Sequence, residues 1–415
     1  MRVLLAVTTG RPTYIETISS LIANFLSFEH NTRSTLGLLV NYDSLYGGYC
    51  DDEFKFRSPL ANELREIIYL GHQEANQYTT MLRNARVPDD LVQEIVRPTG
   101  YGHKKNLATL IAVQNDYDAI LYWDDDEYPV ICLGDSQDTR WHSTDILGEH
   151  LKALTNGADI SFGFWSGYVS PIPTNISCIL SPDVALKLGK ALAPGSDVIS
   201  NGSFIEQQSN FLFVDKLPEA REIQMSFGGK WISGGNVMLA VRSIVSGIIP
   251  PYFTPADSRG DDTILSTGLG NAVVHSVKAG IFHDAFAEFH DVRRGNLPDS
   301  LLGRFSSNSA SKATGRFASA LSGWLAYAPL LIKIRHGNQF QIALKQMLAD
   351  LTSVENELFS EWPELRSALQ SQLLSSIFDK YVNLVEAQTQ ILERLRASWP
   401  HILDTFLSWR NSNAR

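Results

Sequence analysis

The densest concentration of reactive side chains is Ile120-Leu121-Tyr122-Trp123-Asp124-Asp125-Asp126-Glu127. Three adjacent aspartates at the end of an apolar run crowd like charges, which disfavours ionising all of them. A divalent cation relieves the crowding. Hard oxygen donors suit Mg2+ or Mn2+, ions that keep open positions for substrate phosphates. Asp124 and Asp126 are the expected ligands, with Asp125 beside them. An acidic turn capping the next element would show the same letters without an ion.

Upstream, Arg97-Pro98-Thr99-Gly100-Tyr101-Gly102-His103-Lys104-Lys105-Asn106 joins two glycines to two lysines. Glycine permits close backbone approach to a ligand, and lysine neutralises phosphate charge. A glycine turn before a helix with solvated lysines is the plainer alternative. Downstream, Ser233-Gly234-Gly235-Asn236 reads as a tight turn offering N–H groups to a ligand, or as a hairpin turn. Arg259-Gly260-Asp261-Asp262 opens a helix, where a carboxylate serves either as general base or as N-cap. His283 follows the apolar run Ala279–Phe282 and is placed to complete a metal site, with His275 and His290 as competitors. Arg293 and Arg294 come next, as phosphate contacts or solvated cations.

The elements that must position these groups alternate. Strands are expected at Arg2–Val7, Leu36–Tyr42 and Ala119–Trp123, and helices at Tyr14–Phe28, Leu60–Tyr69, Tyr78–Asn84 and Lys105–Asn115. β-α-β alternation predicts a mostly parallel sheet flanked by helices, with ligands at the carboxyl ends of strands, where Asp43 and the 124–127 cluster fall. Further strands are expected at Asp159–Phe164 and Val237–Val241, with loops at 171–174 and 193–203 between them. The polar run 306–311 reads as a linker. Beyond it the pattern is helical: Leu344 to Leu358, a start at Pro363, then one long helix from Leu369 to Leu395 that Pro400 interrupts.

The 415 residues carry a net charge of -10 and are 44% hydrophobic, so a sizeable core is expected and nucleic acid is disfavoured as a partner. Cys50, Cys132 and Cys178 form no paired motif, which fits a reducing compartment. Val3–Val7 is too short for a signal-peptide core. The nearest candidate for a membrane-seeking segment, Phe317–Ile334, contains Ser322, Gly323, Pro329 and Lys333, and reads as a buried or surface-seeking helix pair.

In their order along the chain, these motifs resemble the GT-A glycosyltransferases, family 2-like enzymes in particular. The resemblance covers about residues 1–295: Thr8-Thr9-Gly10-Arg11-Pro12 after the first strand, Asp43 after the second, Gly100 to Asn106, Asp124–Asp126, Gly234-Gly235-Asn236, Asp261-Asp262 and His283. Lys105 stands where Arg is common and Asp261 where Glu is common; Asp125 is an extra acid. The resemblance implies an α/β, Rossmann-like GT-A fold with an α-helical C-terminal appendage. It implies a catalytic domain over 1–300, with a nucleotide-binding half to 135 and an acceptor half from 136, and a helical region over 301–415.

It further implies Mn2+ or Mg2+ on Asp124, Asp126 and His283, and Asp262 as base beside Asp261. Donor contacts would come from Thr8, Thr9, Arg11, Asp43, Gly102, Lys104, Lys105, Asp125 and Gly235. The implied reaction moves a sugar from a nucleotide-sugar donor to a glycan or other hydroxyl-bearing acceptor, with inversion as the expected course and retention, which some GT-A enzymes follow, as the alternative. The setting would be cytoplasmic surface-glycan synthesis, with the C-terminal helices contacting the membrane's inner face or a second copy. A sugar nucleotidyltransferase and a non-catalytic scaffold are the competing readings. The single glycine after the first strand speaks against the former, and the acidic clusters against the latter.

Overall fold

The computed structural model describes residues 1–97, 100–134, 138–168, 170–173, 175–196, 214–299 and 307–413. Residues 98–99 of the glycine-lysine segment, Thr174, and 197–203 of the second expected loop lie outside the described residues. Eleven strands are described: β1 Val3–Thr9, β2 Leu36–Tyr42, β3 Glu66–Leu70, β4 Ala119–Asp124, β5 Glu127–Tyr128, β6 Ile131–Gly134, β7 Thr139–His142, β8 Ile160–Gly167, β9 Arg221–Glu222, β10 Val237–Ala240 and β11 Val274–His283.

The main sheet runs β3-β2-β1-β4-β10-β8-β11-β5, with β9 paired to β11 and a separate β6-β7 ribbon. From β3 to β4 all pairs are parallel. The sheet is mixed, because β10 enters antiparallel to both β4 and β8. β1 and β4 are buried along nearly their whole length, as continuous apolar runs require in a sheet covered on both faces. The chain leaves β1 outward to β2 and β3, then crosses back to β4. That reversal puts a crevice at the carboxyl ends of β1 and β4, where open α/β sheets take their ligands. Thr8 stands in register with Asp124 there, and Thr9 with Tyr42. The architecture is an α/β sheet flanked by helices, with a helical C-terminal region.

The helix Tyr14–Ser27 covers one face through Ile18, Leu21, Ile22 and Phe25, as its spacing dictates. The helix Tyr101–Gln114 covers the other and is buried nearly all round, from Gly102 to Val113, because further helices lie over it. One apolar cluster runs from Leu4 and Ile120 in the sheet, through Leu107 and Ile111, to Trp324, Leu351, Leu358, Trp399 and Phe406.

Several expectations fail for local reasons. Leu60–Tyr69 is not a helix: a 3-10 turn at Pro59–Glu63 leads into β3, where Ile67, Ile68 and Tyr69 favour extended backbone on the sheet's edge. Residues 307–311, read as linker, begin a single helix, Ser307–His336, that continues past Pro329. Instead of one long helix, the tail breaks at Gln370 and Ser371, which take positive φ and separate Pro363–Ala368 from Leu374–Val382, and again at a turn over 383–384 before Val385–Asn413. Pro400 does not interrupt the latter; buried Trp399, Ile402, Leu403 and Phe406 hold it on the core. The apolar window within 311–361 is long enough to cross a membrane, but 78% of it is buried against the rest of the chain. Its apolarity is accounted for by the core it fills.

Candidate active site

β4 delivers Asp124 to the crevice, and a tight turn folds back on it. Trp123 Nε1 donates to the Glu127 carbonyl oxygen at 2.9 Å, and the Asp124 N–H donates to Glu127 Oε2 at 3.2 Å. β5 then pairs with β11, setting Glu127 opposite His283, and the Asp284 N–H donates to the Asp126 carbonyl at 2.9 Å. This backbone staple is what brings a histidine about 160 residues away in sequence to the acidic turn. His283 Nε2 lies 3.5 Å from Asp126 Oδ1, while its Nδ1 is hydrogen-bonded to the Tyr168 carbonyl oxygen.

Asp125 points elsewhere. It is buried and accepts from Thr9 Oγ1 at 2.6 Å, from Arg11 Nε at 3.0 Å, and from Arg11 Nη2. Thr17 Oγ1 donates to its carbonyl at 3.0 Å. Three expected donor contacts, Thr9, Arg11 and Asp125, are therefore bonded to one another, locking the acidic turn onto the end of β1. Arg11 also reaches Asp126 Oδ2 at 3.4 Å, and Arg316 approaches the same oxygen at 3.9 Å.

The charges sort by neighbourhood. Burial lifts the Asp124 carboxyl to about 6, with Asp126 and Asp125 adding repulsion against the pull of Lys105 and His283. Burial, with the charge of Asp124, holds Glu127 well above its ordinary value. At Asp126 burial acts in the same direction, but His283, Arg11 and Arg316 overcome it and hold its carboxyl low. Burial opposes charge on His283, yet the hydrogen bond and charge of Asp126 raise it to about 9. Burial of its hydroxyl and the charges of Asp125, Asp124 and Asp126 hold Tyr101 above its ordinary range, although over half of its side chain is exposed.

Across the crevice, Gly100 enters the helix Tyr101–Gln114 at φ 95°, which glycine adopts without strain. Lys104 and Lys105 then diverge, as consecutive helical residues must. Lys105 Nζ lies 2.8 Å from Asp261 Oδ2 and donates to the Gly234 carbonyl at 2.9 Å, with the Tyr252 ring 5.1 Å away. The contact to Asp261 is a close ion pair whose angle leaves Oδ2 without a well-aligned hydrogen bond. Lys104 turns toward Asp43; burial lowers its ammonium to about 8, and Asp43 offsets part of that. Asp43 caps the turn after β2 through the Leu45 N–H at 3.1 Å, and His72 Nε2 lies 3.4 Å from it.

The glycines close the walls. A Cβ on Gly235 would overlap the Glu127 carboxylate, and one on Gly234 would sit 3.3 Å from Asp262 Oδ2. The glycine turn therefore lies between the acidic cluster and Asp262. The Gly102 N–H is taken by Thr254 Oγ1 at 3.1 Å, and a side chain there would strike Thr254, so this glycine serves packing. Arg293 and Arg294 pair with Glu16, at 2.7 and 3.5 Å. His275 stands in register with Ser161, at the far end of β11 from His283.

Three residues outside the expected set lie at the acidic turn: Glu127, Tyr101 and Arg316. The first two lie inside motifs already singled out. Arg316 could have been flagged only as an isolated charge leading into a long apolar helical stretch.

Among the described residues, no group of three or more His, Cys, Asp or Glu side chains is gathered as a ready metal cage. Asp124, Asp126 and His283 Nε2 are a partial donor set. The raised carboxyls of Asp124 and Glu127 mark a place where added positive charge would be stabilising. Such a set suits a hard cation whose remaining positions are filled by substrate oxygens.

No family model matches the chain, and no curated protein matches it. Among solved structures, the chain is similar to S. aureus TarS 1-349 at 10% identity and a TM-score of 0.40, over 89% of this chain and 91% of that one. It is also similar to the same TarS fragment in complex with UDP-GlcNAc, at 11% identity and a TM-score of 0.40, over 100% and 92%. A third likeness, to a mycobacterial protein, has 14% identity and a TM-score of 0.32, over 77% of this chain and 74% of that one.

Proposed function

We propose that this chain is a glycosyltransferase that moves a sugar from a nucleoside diphosphate sugar to an acceptor hydroxyl. The observation that carries this reading is the arrangement at the crevice. Asp124 and Asp126, with His283, occupy the carboxyl end of β4 at the sheet's reversal point. Lys105, Asp261 and Asp262 lie across the Gly234-Gly235 turn from them.

Each group has a distinct task. Lys105, held by Asp261 and the Gly234 carbonyl, brings fixed positive charge to the side where a departing diphosphate accumulates negative charge. Asp262, beside the glycine turn, accepts the acceptor's hydroxyl proton as the new C–O bond forms at the anomeric carbon. The bond to the diphosphate oxygen breaks in the same displacement, which inverts the anomeric configuration. Asp261 is a positioning residue, committed to Lys105. Asp125, Thr9 and Arg11 hold the acidic turn in place. A Mg2+ or Mn2+ ion on Asp124, Asp126 and His283 would supply Lewis-acid neutralisation of the diphosphate.

The test is product analysis. With UDP-, GDP-, ADP- and dTDP-sugars, Mn2+ and a mixture of simple sugar acceptors, we expect nucleoside diphosphate release from one base class. Asp262→Ala should slow it by about 100-fold or more. Formation of pyrophosphate from a sugar phosphate and a nucleoside triphosphate would instead identify a nucleotidyltransferase.

A further inference from the structure

The helix Ser307–His336 lies within the segment that the sequence pattern sets apart from the site, yet it brings a charge to the site's centre. Arg316 Nη2 is 3.9 Å from Asp126 Oδ2, and its guanidinium sits 6.0 Å from the Phe286 ring centre. The residues that follow it, Phe317, Ala320, Leu321 and Trp324, are buried in the main core, so the helix has little freedom to withdraw. The Arg316 side chain is 31% exposed.

Among the described residues, four other cations near the acidic turn are committed. Arg11 makes two contacts to Asp125, and Lys105 is divided between Asp261 and the Gly234 carbonyl. Lys104 faces Asp43, and His283 is held between the Tyr168 carbonyl and Asp126. Arg316 differs in that its approach to Asp126 is beyond hydrogen-bonding distance. A planar fork of N–H donors, tethered beside a carboxylate and partly open to solvent, is suited to bidentate phosphate binding.

We infer that Arg316 binds the diphosphate of the donor, so that the C-terminal helical region forms part of the donor site. This rests on the glycosyl-transfer reading. Arg316 recognises the phosphate charge and not the base, and its removal takes a cation away from Asp126. Loss of diphosphate binding is therefore expected without loss of Mn2+ binding.

The experiment is calorimetric titration of wild type, Arg316→Ala and Arg316→Lys with UDP, GDP and ADP and the matching monophosphates. Each titration is run with Mn2+, and Mn2+ alone is titrated separately. Circular dichroism melts check that each variant is folded. For the base that wild type binds, we expect Arg316→Ala to weaken diphosphate binding by about tenfold to a hundredfold. The monophosphate should change less than about twofold, Arg316→Lys should recover part of the loss, and Mn2+ affinity should not fall. Unchanged diphosphate binding in Arg316→Ala would overturn the inference while leaving the functional reading intact. Equal loss of diphosphate and monophosphate would also overturn it, by showing that Arg316 acts on the fold or the nucleoside. Binding of no nucleotide by wild type would overturn the functional reading, and the inference with it.

Discussion

Lys105→Met removes one partner of a buried ion pair whose side chains are 6% and 11% exposed. Asp261 would then be a buried carboxylate facing an apolar side chain, and the Gly234 carbonyl would lose its donor. Breaking such a pair from one side destabilises by about 3–5 kcal/mol, because the remaining charge is left uncompensated. The opposite substitution is not symmetric. In Asp261→Asn, Lys105 keeps the nearby charges of Asp124 and Asp262, which also raise it above its ordinary value. Asp261→Asn should therefore cost about half as much or less. The double variant removes both charges and should be more stable than Lys105→Met alone. Urea denaturation of the four proteins at pH 7 measures this. Loss of stability in the double variant equal to the sum of the two single losses would refute the pairing. So would a Lys105→Met protein as stable as wild type.

Lys104 gives a pH signature with a definite sign. Its folded value of about 8 lies below its ordinary 10.5, so the native state releases this proton first as pH rises. The burial penalty, roughly 3 kcal/mol, is fully present below about pH 8 and is lost between about 8 and 10.5. Lys104→Met should be more stable than wild type at pH 7, and the gap should close by pH 10 in denaturation curves. His283 titrates near 9, so Mn2+ must displace its proton; Mn2+ affinity by calorimetry should rise from pH 7 toward 9. Gly235→Ala drives a Cβ into the Glu127 carboxylate and should lower stability by about 1–3 kcal/mol, with reduced nucleotide binding. Asp125→Ala removes the buried carboxylate that accepts from both Arg11 and Thr9, so it should lower the melting temperature more than Asp124→Ala does.

Much of the site is legible in the chain because it is built on short-range patterns. The apolar runs that become β1, β2 and β4 end in polar residues at one edge, and parallel register carries Thr8, Asp43 and Asp124 there together. Less legible is anything decided by contacts between distant segments. The role of Asp125 depends on Thr9 and Arg11, more than 110 residues earlier, and no local feature separates it from Asp124 and Asp126. β3 was hidden because an edge strand is only half covered and shows no clean alternation. The prolines misled in the tail: Pro329 and Pro400 sit inside helices whose buried faces outweigh one missing backbone bond each. Arg316 was concealed by the apolar helix around it, which the sequence pattern assigns to packing alone.

The central claim is that the acidic turn binds a nucleoside diphosphate together with a metal ion. Its most direct test is the melting temperature of wild type and Asp126→Ala with UDP, GDP, ADP and dTDP, each with and without Mn2+. A ligand that binds only the native state raises the melting temperature by mass action. The account predicts an upward shift for one base, dependent on Mn2+ and absent in a folded Asp126→Ala protein. A shift equally large in Asp126→Ala, or none for any nucleotide in wild type, would contradict it.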